Sequence, residues 1–145
     1  MENQVPVTIL LVEDDPGHAL LIEKNLRRAR IANDIIKFDN GKKAVDFLLK
    51  EGDYHADTHP APLLILLDLN LPILDGYQVL KIIKSDMRTR QIPVVVLTTT
   101  DAPHDIVRCY ELGCNVYVSK PVDYTEFSEA IRNLGLFLSV VKVPD

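Results

Sequence analysis

Three short runs of apolar residues set the limits on how this chain can fold. They are Thr8–Val12, Leu63–Leu67 and Val94–Leu97. Each is four or five residues long and apolar at almost every position, so a strand built from it is buried on both faces. Strands of this kind occupy the middle of a parallel sheet that is covered on each side by other elements.

Weaker strands and several helices complete the pattern. Two further strands are predicted at Asp34–Phe38 and Asn115–Val118. Between and after the strands, apolar residues recur at helical spacing in five groups: Ala19, Ile22, Leu26 and Ala29; Val45, Leu48 and Leu49; Leu80, Ile83 and Met87; Ile106 and Tyr110; and Phe127, Ile131, Leu134 and Leu138. Because parallel strands need crossover connections, this alternation predicts an α/β fold with a doubly wound parallel sheet.

Size and charge narrow the class of protein. A chain of 145 residues, 47% hydrophobic and 26% charged, is expected to form one globular domain spanning residues 1–145. Its formal net charge of −5 argues against binding to nucleic acid or to a membrane surface. The first residues lack the pattern of a signal peptide, and no apolar run approaches the roughly 18 residues of a spanning helix. We therefore expect a cytoplasmic protein.

The cysteines and two of the histidines do not match a metal site. Cys109 and Cys114 are five residues apart, a spacing that matches no metal signature, and they are expected to be partly buried thiols. His55 and His59 lie in the long polar connection Glu51–Pro62. No third ligand is near them in the sequence, so a surface loop is the better interpretation.

Polar residues follow the predicted strands, where ligands bind in open parallel sheets. They are Glu13, Asp14, Asp15, Asp68, Asn70, Thr98, Thr99, Thr100, Ser119 and Lys120. Some have an ordinary structural explanation, since Asp15 and Thr98 could cap helices or turns and Lys120 could be a solvated charge. Together, however, clustered carboxylates repel one another unless a cation is present. Ligands that are all oxygens favour a hard cation, and an open site with few protein ligands favours Mg²⁺.

Asp68 directly follows the most apolar strand. Burial of a carboxylate is costly unless a partner offsets it. An aspartate held beside a cation can attack phosphorus and form an aspartyl phosphate. That reaction needs little beyond alignment and charge neutralisation, which a metal ion, Lys120 and the Thr98 hydroxyl can supply. We therefore predict that Asp68 is a nucleophile for phosphoryl transfer.

Four motifs resemble the receiver domain of two-component response regulators. They are LLVEDD (10–15), LLDLNLPILDG (66–76), PVVVLTT (93–99) and GCNVYVSKP (113–121). Their order and spacing match the family along essentially the whole chain. The resemblance implies a flavodoxin-like (βα)5 fold with strand order 2-1-3-4-5, and a phosphoryl group accepted from a histidine kinase.

The resemblance also implies a metal site. In it, Asp14, Asp68 and the backbone carbonyl of Asn70 would bind Mg²⁺ directly, with Mn²⁺ as an alternative ion. Glu13 would act through a metal-bound water. Asp68 would be the residue that is phosphorylated.

The switch residues are likewise implied by the resemblance. Lys120 would anchor the phosphoryl group, and the Lys120–Pro121 peptide bond would be cis. Thr98 would move towards the phosphoryl oxygens, and Tyr117 would then turn inward. This change would reshape the face formed by the fourth helix, fifth strand and fifth helix, and the signal would leave through protein contacts because no output domain follows.

A finer resemblance concerns the end of the chain. The stretch LTTT, the long loop before the third strand and the tail LGLFLSVVKVPD are similar to stand-alone regulators of bacterial, especially cyanobacterial, phytochrome kinases. From about residue 136 the tail extends the last helix and adds the apolar residues Leu136, Phe137, Val140 and Val141. Such a patch suggests a partner surface, with a homodimer as one candidate assembly, whereas the alternative is a tail folded back on its own domain.

Two other functions compete with this interpretation. A phosphohydrolase could use the same aspartyl chemistry, but such enzymes usually place a second acid where this chain has Asn70. A flavin carrier could share the topology. Its phosphate-binding loop should offer Gly, Ser or Thr, whereas the loop after the first strand is the acidic EDDPGH.

Overall fold

The protein forms a five-stranded parallel sheet in a computed structural model that describes residues 7–28, 30–52, 63–99 and 102–120, with residues 125, 126, 128, 129, 132 and 133. The strands are β1 (Thr8–Val12), β2 (Ile35–Phe38), β3 (Leu63–Leu67), β4 (Val94–Thr98) and β5 (Val116–Ser119). The helices with defined bounds are α1 (Pro16–Arg28), α2 (Gly41–Leu49), α3 (Gly76–Ser85) and α4 (Pro103–Glu111). The backbone is again helical at the six described positions after residue 124.

The strand order is β2-β1-β3-β4-β5, and every neighbouring pair is parallel. The predicted doubly wound sheet and its order are therefore confirmed. β1 and β3 lie side by side near the centre of the sheet, with Val12 level with Leu67. The residues that follow these two strands consequently emerge next to each other.

Two apolar cores cover the two faces of the sheet. Alternate residues of the central strands point to opposite sides: Leu10 and Ile65 belong to one core, and Leu11 and Leu66 belong to the other. The first core is completed by α2, α3 and Cys109 of α4, and the second by α1. Burial of both faces explains why these strands are apolar throughout.

Most predicted elements are confirmed, with small differences at their ends. β2 begins one residue later than predicted, and β4 extends to Thr98. The helical spacing of Leu80, Ile83 and Met87 predicts a helix that includes Met87, but the helix ends at Ser85 and Met87 is 81% exposed. The chain turns there because Asp86 takes an extended conformation and its side chain accepts hydrogen bonds from Arg88.

The connection from β3 to α3 is tightly packed. Gly76, the first residue of α3, lies so close to the backbone of Asp68 and Leu69 that a Cβ atom would collide with both. Its N–H donates to the carbonyl of Leu69 at 2.9 Å. Ile73, three residues before Gly76, is 73% exposed and has a φ of 71°. β-Branched residues rarely adopt a positive φ.

Several predictions concern residues outside the described part of the chain. They involve Ala29, His55, His59, Thr100, the Lys120–Pro121 bond, the stripe Phe127, Ile131, Leu134 and Leu138, and the tail from residue 136. Among the described residues, no helix combines the length and apolar character needed to cross a membrane.

Candidate functional site

Three carboxylates meet where β1 and β3 end. One oxygen each of Glu13, Asp14 and Asp68 lies within 4.8 Å of the others. Glu13 and Asp68 are buried, whereas Asp14 is exposed. The register of β1 with β3 brings these residues together, as expected from their positions after neighbouring strands.

Lys120 supplies positive charge to this cluster from the end of β5. Its Nζ donates a hydrogen bond to Glu13 Oε1 and lies 3.5 Å from Asp68 Oδ2. The side chains of Lys120 and Glu13 are each only 2% exposed. Removal of Lys120 would leave the buried carboxylates of Glu13 and Asp68 without this positive partner, which is strongly destabilising.

Burial also affects the protonation of Glu13. Loss of contact with water raises the pKa of Glu13 to about 7, the negative charge of Asp68 acts in the same direction, and the Lys120 ammonium opposes both. A cation placed among these carboxylates would favour their ionised forms. The cluster is therefore built for a positive ligand.

Hydrogen bonds hold the Asp68 carboxylate in place. Its backbone N–H donates to the carbonyl of Val12 at 3.0 Å, which ties it to β1. Oδ1 accepts the backbone N–H of Asn70 at 3.3 Å, and Oδ2 faces Lys120. The side chain of Asp68 therefore has a defined orientation at the site.

Asp15 has a different role from its acidic neighbours. Its Oδ1 accepts the N–H groups of Gly17 at 2.8 Å and His18 at 3.1 Å, so it caps the start of α1. The hydrogen bond from the His18 backbone is the main cause that lowers the pKa of Asp15. The structural interpretation of this residue is the correct one.

Sequence reasoning did not identify His18. Its Nδ1 lies 4.0 Å from Glu13 Oε1 and 3.8 Å from Asp15 Oδ2. Its position three residues after the helix cap could have indicated that it faces the site, because residues three apart lie on one helix face.

Thr98 is the most enclosed hydroxyl of the site. It is 0% exposed, and its Oγ1 has no hydrogen-bond partner in the described part of the protein. A buried hydroxyl without a partner is costly, so Thr98 gains free energy if an acceptor comes within reach. Thr99 and Ser119, the other described hydroxyls at these strand ends, are exposed.

Tyr117 lies on the edge strand β5. It is half-buried and packs against the core that contains α2 and α3. Its backbone N–H donates to the phenol oxygen of Tyr110 on α4, at 3.2 Å. Tyr110 lies in a helix, as its spacing from Ile106 predicts, but it is half-exposed and its phenol contacts β5.

The donor set fits a hard divalent cation. All three acidic side chains offer oxygen, and exposed Asp14 leaves one side open to water, as Mg²⁺ usually requires. A cavity of about 420 Å³ opens beside Glu13 and Asp14, and its wall includes Phe38 and Lys43. This cavity reaches Glu13 and Asp14, and its lining does not include Asp68 or Lys120.

Known proteins share this fold and much of this sequence. The family model described as the response regulator receiver domain matches residues 9–132. Response regulator Rcp1 of Synechocystis is 38% identical over 144 residues, which cover 99% of this chain and 97% of Rcp1. The crystal structure of Rcp1 in its Mn²⁺-bound form superposes with a TM-score of 0.88 at 36% identity, covering 97% of this chain and all of that one.

Two further crystal structures are similar. The receiver domain from Rhodospirillum rubrum is 52% identical with a TM-score of 0.87, covering 95% of this chain and 97% of the other. The phosphorylated cyanobacterial phytochrome response regulator RcpA is 35% identical with a TM-score of 0.87, covering 97% of this chain and all of RcpA. The chain thus belongs to the response regulator receiver domain family and is homologous to cyanobacterial phytochrome response regulators.

Proposed function

We propose that this protein accepts a phosphoryl group on Asp68 in a Mg²⁺-dependent reaction and signals through contacts with other proteins. The observation that carries the proposal is the meeting of Glu13, Asp14 and Asp68 within 4.8 Å, with the Lys120 ammonium beside them. In the same proposal, residues 1–145 act as one domain in the cytoplasm.

The metal ligands would be Asp14, Asp68 and the Asn70 backbone carbonyl, with Glu13 acting through a bound water. A bound Mg²⁺ would offset the negative charge of the carboxylates and of the arriving phosphoryl oxygens. The Mn²⁺-bound form of Rcp1 supports a divalent ion in this family. The choice of Mg²⁺ rests on the hard oxygen donors of this chain.

Asp68 would be the nucleophile. One of its carboxylate oxygens forms a bond to phosphorus as the bond from phosphorus to the imidazole nitrogen of a phosphohistidine breaks, and the electron pair of that bond stays on the imidazole. Lys120, already 3.5 Å from Asp68 Oδ2, would then pair with the phosphoryl oxygens. Charge neutralisation and alignment are the main requirements of such a transfer.

Thr98 and Tyr117 would convert this charge into a change of shape. The Thr98 hydroxyl would donate to a phosphoryl oxygen and so gain the partner it lacks among the described residues. Tyr117 would turn into the space that Thr98 leaves, and the surface formed by α4, β5 and the last helix would change.

The partners follow from the family. A receiver domain implies a histidine kinase as donor, and the likeness to Rcp1 and RcpA supports a kinase of the phytochrome type. We propose a homodimer through the α4–β5 face and the tail as the assembly. The downstream protein would bind the same face.

Acetyl phosphate tests the central claim. Incubation of the protein with acetyl phosphate and MgCl₂ is expected to add one phosphoryl group, measured as a mass increase in intact-protein mass spectrometry. Asp68→Asn should abolish the addition, whereas Asp46→Asn, which removes a carboxylate from α2, should leave it unchanged. Equal phosphorylation of the Asp68→Asn variant would refute the assignment.

A further inference from the structure

Helix α4 is weakly held by apolar packing. Among its nine residues only Cys109 is buried, and Val107 and Tyr110 are about half-exposed. Ala102 occupies the cap position and offers no side-chain hydrogen bond to the first turn. Within the part of the chain that the structure describes, the position of this helix therefore depends on a few specific contacts.

One residue of α3 makes two of those contacts. The Tyr77 hydroxyl donates a hydrogen bond of 2.5 Å to Asp105 Oδ1 in the first turn of α4. One turn further on, the Arg108 guanidinium lies 4.0 Å from the centre of the Tyr77 ring, a cation–π contact. Tyr77 thus contacts α4 with both its hydroxyl and its ring.

Tyr77 is also next in sequence to a residue that contacts the backbone of Asp68. It follows Gly76, which packs directly on the carbonyl of Asp68 and donates its N–H to Leu69. The first turn of α3 carries Tyr77 and also packs on the strand end that carries Asp68. If this turn moved together with α4, it would therefore displace the backbone of Asp68.

We propose that Tyr77 is a positioning residue that restrains α4 and so opposes the response to phosphorylation. The proposal rests on the function proposed for Asp68 and Thr98. Thr98 ends β4, and α4 begins at Pro103, so a shift of Thr98 towards Asp68 pulls on the first turn of α4. The hydrogen bond to Asp105 lies in that turn, so a displacement of the turn away from Tyr77 would have to lengthen or break it.

Beryllofluoride binding tests this restraint. Beryllofluoride with MgCl₂ imitates a phosphoryl group on an aspartate, and bound fluorine can be counted by ¹⁹F NMR. Tyr77→Phe keeps the ring beneath Arg108 and removes only the hydroxyl. Because part of the binding free energy no longer goes into breaking that hydrogen bond, we expect about threefold to tenfold tighter beryllofluoride binding. The Mg²⁺ affinity in the absence of beryllofluoride should stay unchanged.

Two further variants separate restraint from general destabilisation. Thr89→Val removes another buried hydroxyl, in the connection between α3 and β4, which donates a hydrogen bond of 2.7 Å to the Ile83 carbonyl. This variant should not tighten beryllofluoride binding. Asp105→Asn keeps an acceptor for Tyr77 and should bind close to wild type. Asp105→Ala is a less clean test because His104 also lies 3.4 Å from Asp105.

Each outcome has a distinct meaning. Unchanged or weaker binding by Tyr77→Phe, or equal tightening by Thr89→Val, would overturn the restraint. Failure of the wild-type protein to bind beryllofluoride would instead refute the function proposed for Asp68. Tighter binding by Tyr77→Phe alone would establish the role of its hydroxyl.

Discussion

At the scale of single residues, the buried thiol of Cys109 gives the stability of the protein a pH dependence. Cys109 is 0% exposed, and burial raises the pKa of its thiol from 9.0 to about 11. The folded protein therefore keeps this proton at pH values where the unfolded chain loses it. The stabilisation that the protonated, buried thiol contributes is fully present below pH 9.0 and is lost as the pH rises through 11.

We expect the free energy of unfolding, measured by urea denaturation under reducing conditions, to fall between pH 8 and pH 10. About 1 kcal/mol of this fall should come from Cys109, because each unit of pKa shift is worth about 1.4 kcal/mol. The free energy of unfolding of Cys109→Ala should fall less over the same pH range, and the difference should equal the Cys109 contribution. An equally steep fall in the variant would show that the thiol plays no part.

At the scale of elements, the contact between β3 and α3 depends on the absence of a side chain at Gly76. A methyl group there would meet the Asp68 carbonyl and the Leu69 Cα, which are backbone atoms that cannot turn aside. We expect Gly76→Ala to lower the free energy of unfolding by about 2 kcal/mol or more. The same displacement of Asp68 should slow its phosphorylation by acetyl phosphate.

Gly17→Ala is the matched control for that experiment. At Gly17, in the first turn of α1, the nearest atom to an added Cβ is Asp15 Oδ1 at 3.2 Å, which belongs to a side chain and not to the backbone. Its free energy of unfolding should change by less than about 1 kcal/mol. Similar losses for both variants would mean that the close approach at Gly76 is not the cause.

The meeting of strand ends could be predicted from the sequence, whereas the exact end of a helix could not. Asp68 and Glu13 could be placed together because the ends of parallel strands share one edge of the sheet. The end of α3 was missed because helical spacing continues to Met87 although Asp86 and Arg88 turn the chain. Local periodicity carries no information on where a side chain stops the helix.

Contacts between helices were beyond the reach of sequence patterns. Tyr77 and Asp105 are 28 residues apart, and neither stands out in its own segment. Their hydrogen bond depends on how closely α3 and α4 pack, which follows from the whole core. The role of Tyr110 was missed for the same reason, since its phenol meets β5 rather than the interior.

At the scale of the whole molecule, the acidic site should link stability to magnesium. A ligand that binds only the folded protein stabilises it, by about 1.4 kcal/mol at tenfold excess over its Kd. We therefore expect the Tm, measured by calorimetry, to rise by several degrees when EDTA is replaced by MgCl₂ at that excess. The rise follows from relief of the repulsion among Glu13, Asp14 and Asp68.

Asp14→Asn should remove most of this increase. Asp46→Asn makes the same change of charge on α2 and should keep the increase, which excludes a general effect of ionic strength. If magnesium raised the Tm of Asp14→Asn as much as that of the wild type, the carboxylate cluster would not be its binding site.

The hydrogen bond between Tyr110 and Tyr117 has a consequence for association. β5 is an outer strand, and an outer strand offers unpaired backbone groups to which a foreign strand can add. The Tyr110 phenol occupies one of those groups, the N–H of Tyr117. This N–H is therefore not available to a foreign strand, which disfavours aggregation by strand addition along this border.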